Sequence, residues 1–400
     1  MRARSQRAAI VAPSPSVEEW VRRKSSHSLW LVLVWTPLLV AGSLQSAPAN
    51  ATTLPGCPAV AWAENPQHSG FSCTLLPDRL HDLWSVRLNH PTSYPLIADG
   101  KVFVTTSQPG GSYGGSLYAL DAATGAVAWG PIPLSGTYYF FPLAYDGGKV
   151  FVNNFDGKVV AFDATTGAQR WATQTEYFSG VPIATGGTVW LHGSSDVWGL
   201  AETDGSVAAQ STYLDGDGST IAADSTGVYA STGCGSQYKL SLTAQIVWSD
   251  MQGCSGGGGG DVSLWRSKMY GTNGNVILKK VDGTSVGSFA GRPAFRHERA
   301  FFANGNSVFA EDVKTQVPLW TVSVAGTITA GPITTRGAVW VATASKYLIE
   351  LSPSTGGVLS KLTLNGVPGG GGEYSGDPSD INAGDGMLVV PTGRTVTAYG

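Results

Sequence analysis

Charge is scarce in this sequence: Asp, Glu, Lys and Arg make up only 13% of its 400 residues. Segments with a 3.6-residue apolar period are almost absent, which excludes helical bundles and helical solenoids. Chemistry-bearing motifs are equally thin. The six histidines, His27, His68, His81, His90, His192 and His297, are scattered, and none has a nucleophile at a recognisable spacing. The four cysteines include no adjacent pair and no C-x-x-C, so a structural zinc site and covalent haem attachment find no support. The glycine run 256–260 is followed by neither Lys-Ser/Thr nor a helix, and is no phosphate cradle. Asp215-Gly216-Asp217-Gly218 opens like a calcium loop but lacks the third acidic ligand and the Glu at its end. The formal charge is −3, and the first 24 positions are basic, with Arg2, Arg4, Arg7, Arg22, Arg23 and Lys24 against Glu18 and Glu19. The remainder is therefore acidic, which argues against nucleic acid or an anionic membrane as the main partner.

What is abundant is glycine, with 53 residues, and tryptophan, with 13. Together with the missing helix pattern, they point to many short strands joined by tight turns. The first residues read as targeting. Arg22, Arg23 and Lys24 precede an apolar run from Leu29 to Leu44 that contains Pro37, and Ala47-Pro48-Ala49-Asn50-Ala51 offers small residues for cleavage. The run is shorter than the roughly 20 residues that span a bilayer. Residues 1–51 are expected to be a signal peptide, Val21 being an alternative start, and the mature chain to be secreted or extracytoplasmic without a membrane span. In that oxidising setting Cys57, Cys73, Cys234 and Cys254 suit two disulfides. Three connectivities exist, and proximity favours Cys57 with Cys73 and Cys234 with Cys254. Residues 52–82 then form a stapled extension, a small cap ahead of the main domain at 83–400.

The main domain is built on one unit. In Ser116 to Trp129, SLYALDAATGAVAW, two strands flank a turn in which the Asp121 carboxylate can accept N–H groups further on and Gly125 can adopt positive φ. The signature returns as Asp163, Gly167 and Trp171. The tryptophan alone marks Trp84, Trp248 and Trp320, with its missing places at Ala209 and near Gly287. The period is about forty residues, that of a four-stranded propeller blade. Before each signature lie two more strands around a Gly turn, as in PLIADGKVFVTTS (95–107) and PITTRGAVWVATA (332–344). The last unit, from Asp380 to Tyr399, supplies only three strands, and the stretch around Trp84 is a fourth strand with nothing before it. Pairing the two ends closes an all-β, eight-bladed propeller of four-stranded antiparallel blades and removes its free edges.

The pattern AxDxxTGxxxW, carried by Ala119-Leu120-Asp121-Ala122-Ala123-Thr124-Gly125-Ala126-Val127-Ala128-Trp129 and repeated from Ala161 to Trp171, resembles the repeat of pyrroloquinoline-quinone-like β-propellers. The resemblance covers residues 83–400 and implies the fold. Its members include quinoprotein dehydrogenases, an outer-membrane assembly scaffold, and sensor or ligand-binding domains. In the catalytic members it implies a quinone at the ring axis with a calcium ion, a base Asp and a disulfide between adjacent cysteines. No adjacent cysteines exist here, and no calcium-binding set maps residue by residue.

Propeller geometry puts the short turns, such as Asp99-Gly100 and Thr124-Gly125, on one face and the long excursions on the other. The candidate binding face is the loop-rich one, carrying Tyr113, Tyr138, Tyr139, Tyr177, Phe178, Glu373, Tyr374, Asp377 and Asp380. A Cys234–Cys254 bridge would tether one of its loops. The expectation is an exported, non-catalytic binder of a protein or an extracellular small molecule or glycan, with no cofactor or metal. The alternatives are a quinone- and calcium-dependent oxidoreductase and a scaffold subunit of an envelope complex.

Overall fold

The computed structural model describes residues 56–107, 114–136, 141–176, 180–216, 218–252, 260–369 and 380–400. They form eight four-stranded antiparallel sheets, each built from consecutive strands except the last. In that sheet, Asp82–Arg87 pairs with Thr395–Tyr399, Trp84 lying opposite Ala398. The first strand of the ring therefore completes the blade made by the last three, as the orphan fourth strand around Trp84 required.

The Asp-Thr-Gly turn works as its chemistry predicts. Asp121 Oδ1 accepts from Thr124 N and Thr124 Oγ1 at 2.9 and 2.7 Å, and Asp163 repeats the arrangement with Thr166. Each carboxylate is thereby held below its usual range, first by the threonine hydroxyl in Asp121 and by Arg170 in Asp163. The glycine has two jobs. Gly125 sits at φ +71°, and a Cβ there would stand 2.6 Å from the Trp84 ring of the neighbouring blade. Trp84 Nε1 donates to Ala122 O in the same turn at 2.8 Å.

That contact is the blade interface, and it repeats. Trp129, Trp171, Trp248 and Trp320 donate to Ala164, Glu202, Lys280 and Pro353 carbonyls of the next turn. They lie flat on Gly167, Gly205, Gly283 and Gly356. Where the tryptophan is missing, so is the glycine. Ala244, at φ 59°, packs in one cluster with Ala209, and Gln316, at φ 58°, donates to Val286 O beside Gly287. The motif thus links one unit to the next, and its residue pair changes together.

Candidate functional site

The innermost strand of each blade has one edge without a neighbouring strand, so its inward N–H groups need another partner. One such position recurs near the end of all eight inner strands: Ile97, Tyr145, Ala184, Ala223, Leu264, Phe295, Thr334 and Ala383. The stapled N-terminal segment supplies the acceptors. Ile97 N donates to Ala59 O, Tyr145 N to Val60 O, Ala223 N to Pro66 O, Leu264 N to Gln67 O, Phe295 N to Ser69 O and Thr334 N to Gly70 O, all within 2.6–3.0 Å. In the last blade Ala383 N donates instead to Glu64 Oε1 at 2.8 Å. The segment makes one circuit of the axis. It starts beside the last blade, where Asp385 N donates to Cys57 O, and returns there, where Gly386 N donates to Thr74 Oγ1.

The Cys57–Cys73 disulfide joins the two ends of this circuit, their Cα atoms 5.5 Å apart. The pairing agrees with sequence proximity, but the segment's position differs from the expected cap ahead of the ring: it lines the ring's interior. The reason is the set of inward N–H groups, which extended chain on the axis satisfies and chain outside cannot. The tight circuit bends the backbone. Ala63, Glu64 and His68 all have positive φ, a costly state for residues with a Cβ. At Gly70 a Cβ would meet the Ala294 Cβ at 2.7 Å. Cys234 is also disulfide-bonded, and Cys254 lies outside the described residues.

A buried polar cluster sits on this circuit. Trp62 and His68 meet edge to face at 5.1 Å, and the Arg292 guanidinium lies 4.4 Å from the Trp62 ring centroid. Arg292 pairs with Asp380, which also accepts from Gly331 N and Ile381 N at 2.8 Å. Asn382 Nδ2 donates to Ala61 O and Pro95 O at 3.0 and 2.7 Å. His68 Nδ1 faces Val262 O at 3.3 Å, so it carries the proton and Nε2 is the bare nitrogen. Burial, with the Arg292 charge adding to it, lowers the imidazole to about 3. Burial raises the Glu64 carboxyl well above its usual range, and the neighbouring Asp380 charge adds to the rise. Burial thus favours the uncharged form of both groups. Among the described residues Trp62 Nε1, Glu64 Oε2, His68 Nε2 and Asn382 Oδ1 have no hydrogen-bond partner.

Of the nine residues assigned to the loop-rich face, Tyr113, Tyr138, Tyr139, Tyr177, Phe178, Glu373, Tyr374 and Asp377 lie outside the described residues. Asp380 is described, and it is not a loop carboxylate. It is 1% exposed and committed to Arg292 and two backbone N–H groups, because the inner strand that follows turns it toward the axis. Trp62, Glu64, His68, Arg292 and Asn382 were not legible as site residues. The one available signal was the cysteine pair bracketing a short stretch rich in polar residues.

Asp215, the first acid of the calcium-like stretch, binds Ser236, Tyr238 and Thr232 hydroxyls, and Asp217 lies outside the described residues. No group of three or more His, Cys, Asp or Glu side chains is arranged to hold a metal among the described residues.

A closed ring of eight blades with a Trp-on-Gly interface defines a β-propeller of pyrroloquinoline-quinone-like repeats. A family model described as outer membrane protein assembly factor BamB matches residues 133–361, more than half of the chain. The chain belongs to that family. Among curated proteins it is similar to the dehydrogenase subunit of a quinone alcohol dehydrogenase of Acetobacter aceti, 38% identical over 90 residues, which are 20% of this chain and 11% of that protein. The Gluconobacter oxydans counterpart is 36% identical over the same shares. The chain thus spans only a small part of these relatives. Among solved structures it is similar to BamB of Moraxella catarrhalis, with a TM-score of 0.60, 18% identity, and coverage of 80% of this chain and 97% of that one. A europium-containing methanol dehydrogenase gives 0.68 at 13% identity, covering 86% and 98%. The quinohemoprotein alcohol dehydrogenase of Comamonas testosteroni gives 0.66 at 13% identity, covering 88% and 81%. At these identities the structural likeness is one of fold. The formed Cys57–Cys73 bridge fits an oxidising, extracytoplasmic compartment.

Proposed function

We propose that the mature chain is an exported, non-catalytic propeller that binds a protein or another extracellular ligand through its loop-rich face. The observation that carries this reading is the commitment of the axis to the chain's own N-terminal segment, whose carbonyls take the inward N–H groups of six blades while Glu64 takes a seventh. The axial side chains support it. A calcium ion is held by several oxygens, anionic carboxylates prominent among them. Here Asp380 is already engaged by Arg292 and two N–H groups, and burial pushes the Glu64 carboxyl toward its neutral form. These residues do not fit a calcium-bound quinone, and no step is derived through one. His68, lowered to about 3, is a weak base, which fits a structural post better than a proton acceptor.

The test is a titration of the mature protein with pyrroloquinoline quinone and calcium, followed by absorbance and thermal melting. No coloured complex and no rise in Tm are expected. Separately, crosslinking in the native cell should trap a defined partner, and deleting residues 370–379 should abolish the crosslink. A second reading, a quinone-dependent oxidoreductase, is favoured by the 38% identity shared with a dehydrogenase subunit over 90 residues. A coloured, calcium-dependent and stabilised complex would establish it and sink the first.

A further inference from the structure

The stapled segment has two sides. Trp62, Glu64 and His68 belong to the axial cluster, whereas Asn65, Gln67, Ser69 and Phe71 line a cleft of about 260 Å³. Its other wall comes from the ends of two inner strands and the turns beyond them, with Asp224, Trp265, Arg266 and Lys280. These strand ends lead into short turns, so the cleft opens on the face of the short turns. We propose that this cleft is a second binding site, built for one neutral sugar residue.

Three features argue for that chemistry. The first is a rigid aromatic wall. Trp265 stacks on Phe295 at 5.5 Å with 9° between planes, meets Phe71 edge to face at 5.9 Å, and donates its Nε1 to His297 O at 2.9 Å. A partly exposed indole held this way can pack on the C–H face of a pyranose without losing side-chain freedom on binding. The second feature is charge balance. Lys280 is paired with Asp224, and Arg266 with Glu298 at 2.6 Å, so each cation has its own carboxylate. An anionic ligand would have to displace those carboxylates. A sugar hydroxyl donates and accepts at once, and it matches a wall where the Lys280 ammonium stands beside the Asp224 carboxylate. The third is size. The volume equals that of about nine waters, enough for one monosaccharide with a little water.

The site also depends on the staple. Four of its lining residues lie between Cys57 and Cys73, so the cleft exists only while the circuit is seated. The experiment is saturation-transfer NMR and tryptophan fluorescence on the mature protein, with glucose, galactose, mannose and N-acetylglucosamine, and with glucuronate and an acidic tripeptide as controls. At least one neutral sugar should bind saturably and change the fluorescence. Lys280→Met, which keeps the apolar stem, and Gln67→Ala should each weaken binding by about tenfold with Tm measured alongside. Arg266→Met is a third variant should either of these fail to fold. Deleting residues 370–379, assigned to the proposed partner surface, should leave sugar binding unchanged, which separates this site from that surface. Failure of every neutral sugar to bind, stronger binding of glucuronate or the tripeptide, or unchanged affinity in all the folded variants would overturn the proposal.

Discussion

The blade interfaces and the axial circuit solve the same problem by opposite means. At the interfaces a repeated side chain, the tryptophan, caps a repeated turn, and its indole donates to that turn's carbonyl. At the axis a segment that occurs once offers its backbone carbonyls to a repeated set of N–H groups. Repetition writes the first into the sequence in register. The second leaves almost no side-chain pattern, because main-chain acceptors do not depend on residue type. The lesson is that a repeat protein can hide its most individual feature in backbone hydrogen bonds.

The sharpest way to break the first half of this comparison is at the closing blade. Trp84, 8% exposed, joins the strand that seals the ring to the turn of the first complete blade. Trp84→Ala removes a buried indole and one hydrogen bond where no other strand can substitute. The expected cost is about 3–5 kcal/mol in denaturant unfolding. A cost under about 1 kcal/mol would mean that this interface does not hold the ring shut.

The corresponding lesion at the axis is Cys57→Ser with Cys73→Ser. The two cysteines are 16 residues apart. Loop-closure entropy for a ring of that size gives about 3 kcal/mol. Because the circuit also holds strained Ala63, Glu64 and His68, hydrogen exchange should accelerate first at Ala223, Leu264 and Phe295 N–H. Uniform exchange across all the blades would show that the segment is not a separate unit.

The two regions differ in legibility for the same reason they differ in chemistry. Trp129 and Gly167 are far apart in sequence, yet each sits in a copy of the same pattern, so spacing alone relates them. The closing strand was legible because Trp84 stood without three strands before it. Pairing Cys57 with Cys73 followed from proximity, but the path between them did not, since nothing in AVAWAENPQHSGF announces that Val60, Pro66, Gln67 and Ser69 will spend their carbonyls on four different blades. Asp380 was read together with its neighbouring loop acids. Which way a carboxylate at a strand's entrance points is decided by the strand's tilt in the assembled ring, and here it meets Arg292 from two blades away.

Acidity probes the axis directly, because burial there pushes both His68 and Glu64 toward their uncharged forms. The His68 value falls from 6.5 unfolded to about 3 folded, so its contribution is complete above pH 6.5 and is lost as pH falls toward 3. The Glu64 value rises from 4.5, so its contribution is complete below pH 4.5 and is lost as pH climbs toward the folded value. Between these limits the two slopes oppose each other. Where both slopes act, the contributions of these two groups nearly cancel, and outside that window each group changes stability by at most about 1.4 kcal/mol per pH unit. Glu64→Gln keeps an acceptor for Ala383 N and should make the alkaline decline shallower than in the wild type, and His68→Gln should do the same for the acidic one, the remainder coming from Glu202, raised to about 7, and from lowered carboxyls such as Asp121 and Asp163. Urea unfolding across pH gives the slopes. An alkaline limb as steep in Glu64→Gln as in the wild type would show that burial does not raise the Glu64 carboxyl in the folded ring.

The smallest expected effect tests whether tryptophan and glycine are coupled. Gly205 carries φ +74°, and a Cβ there would lie 2.5 Å from the Trp171 ring, whereas Ala244 holds φ 59° opposite Ala209 with no indole above it. Gly205→Ala should therefore cost about 2 kcal/mol, combining positive-φ strain of about 1 kcal/mol with a clash that the indole must relieve. Ala244→Gly relieves the same strain but loses one buried methyl and restricts the unfolded chain less, so it should fall within about 0.5 kcal/mol of zero. The coupling itself is read from a cycle: in a Trp171→Ala background, Gly205→Ala should cost less, keeping the strain and the contact with Thr173 Oγ1, which a Cβ would meet at 2.5 Å. If its cost is the same with and without the indole, the glycine serves only the turn, and the shared loss of Trp and Gly at the Ala209–Ala244 and Gly287–Gln316 interfaces has another origin.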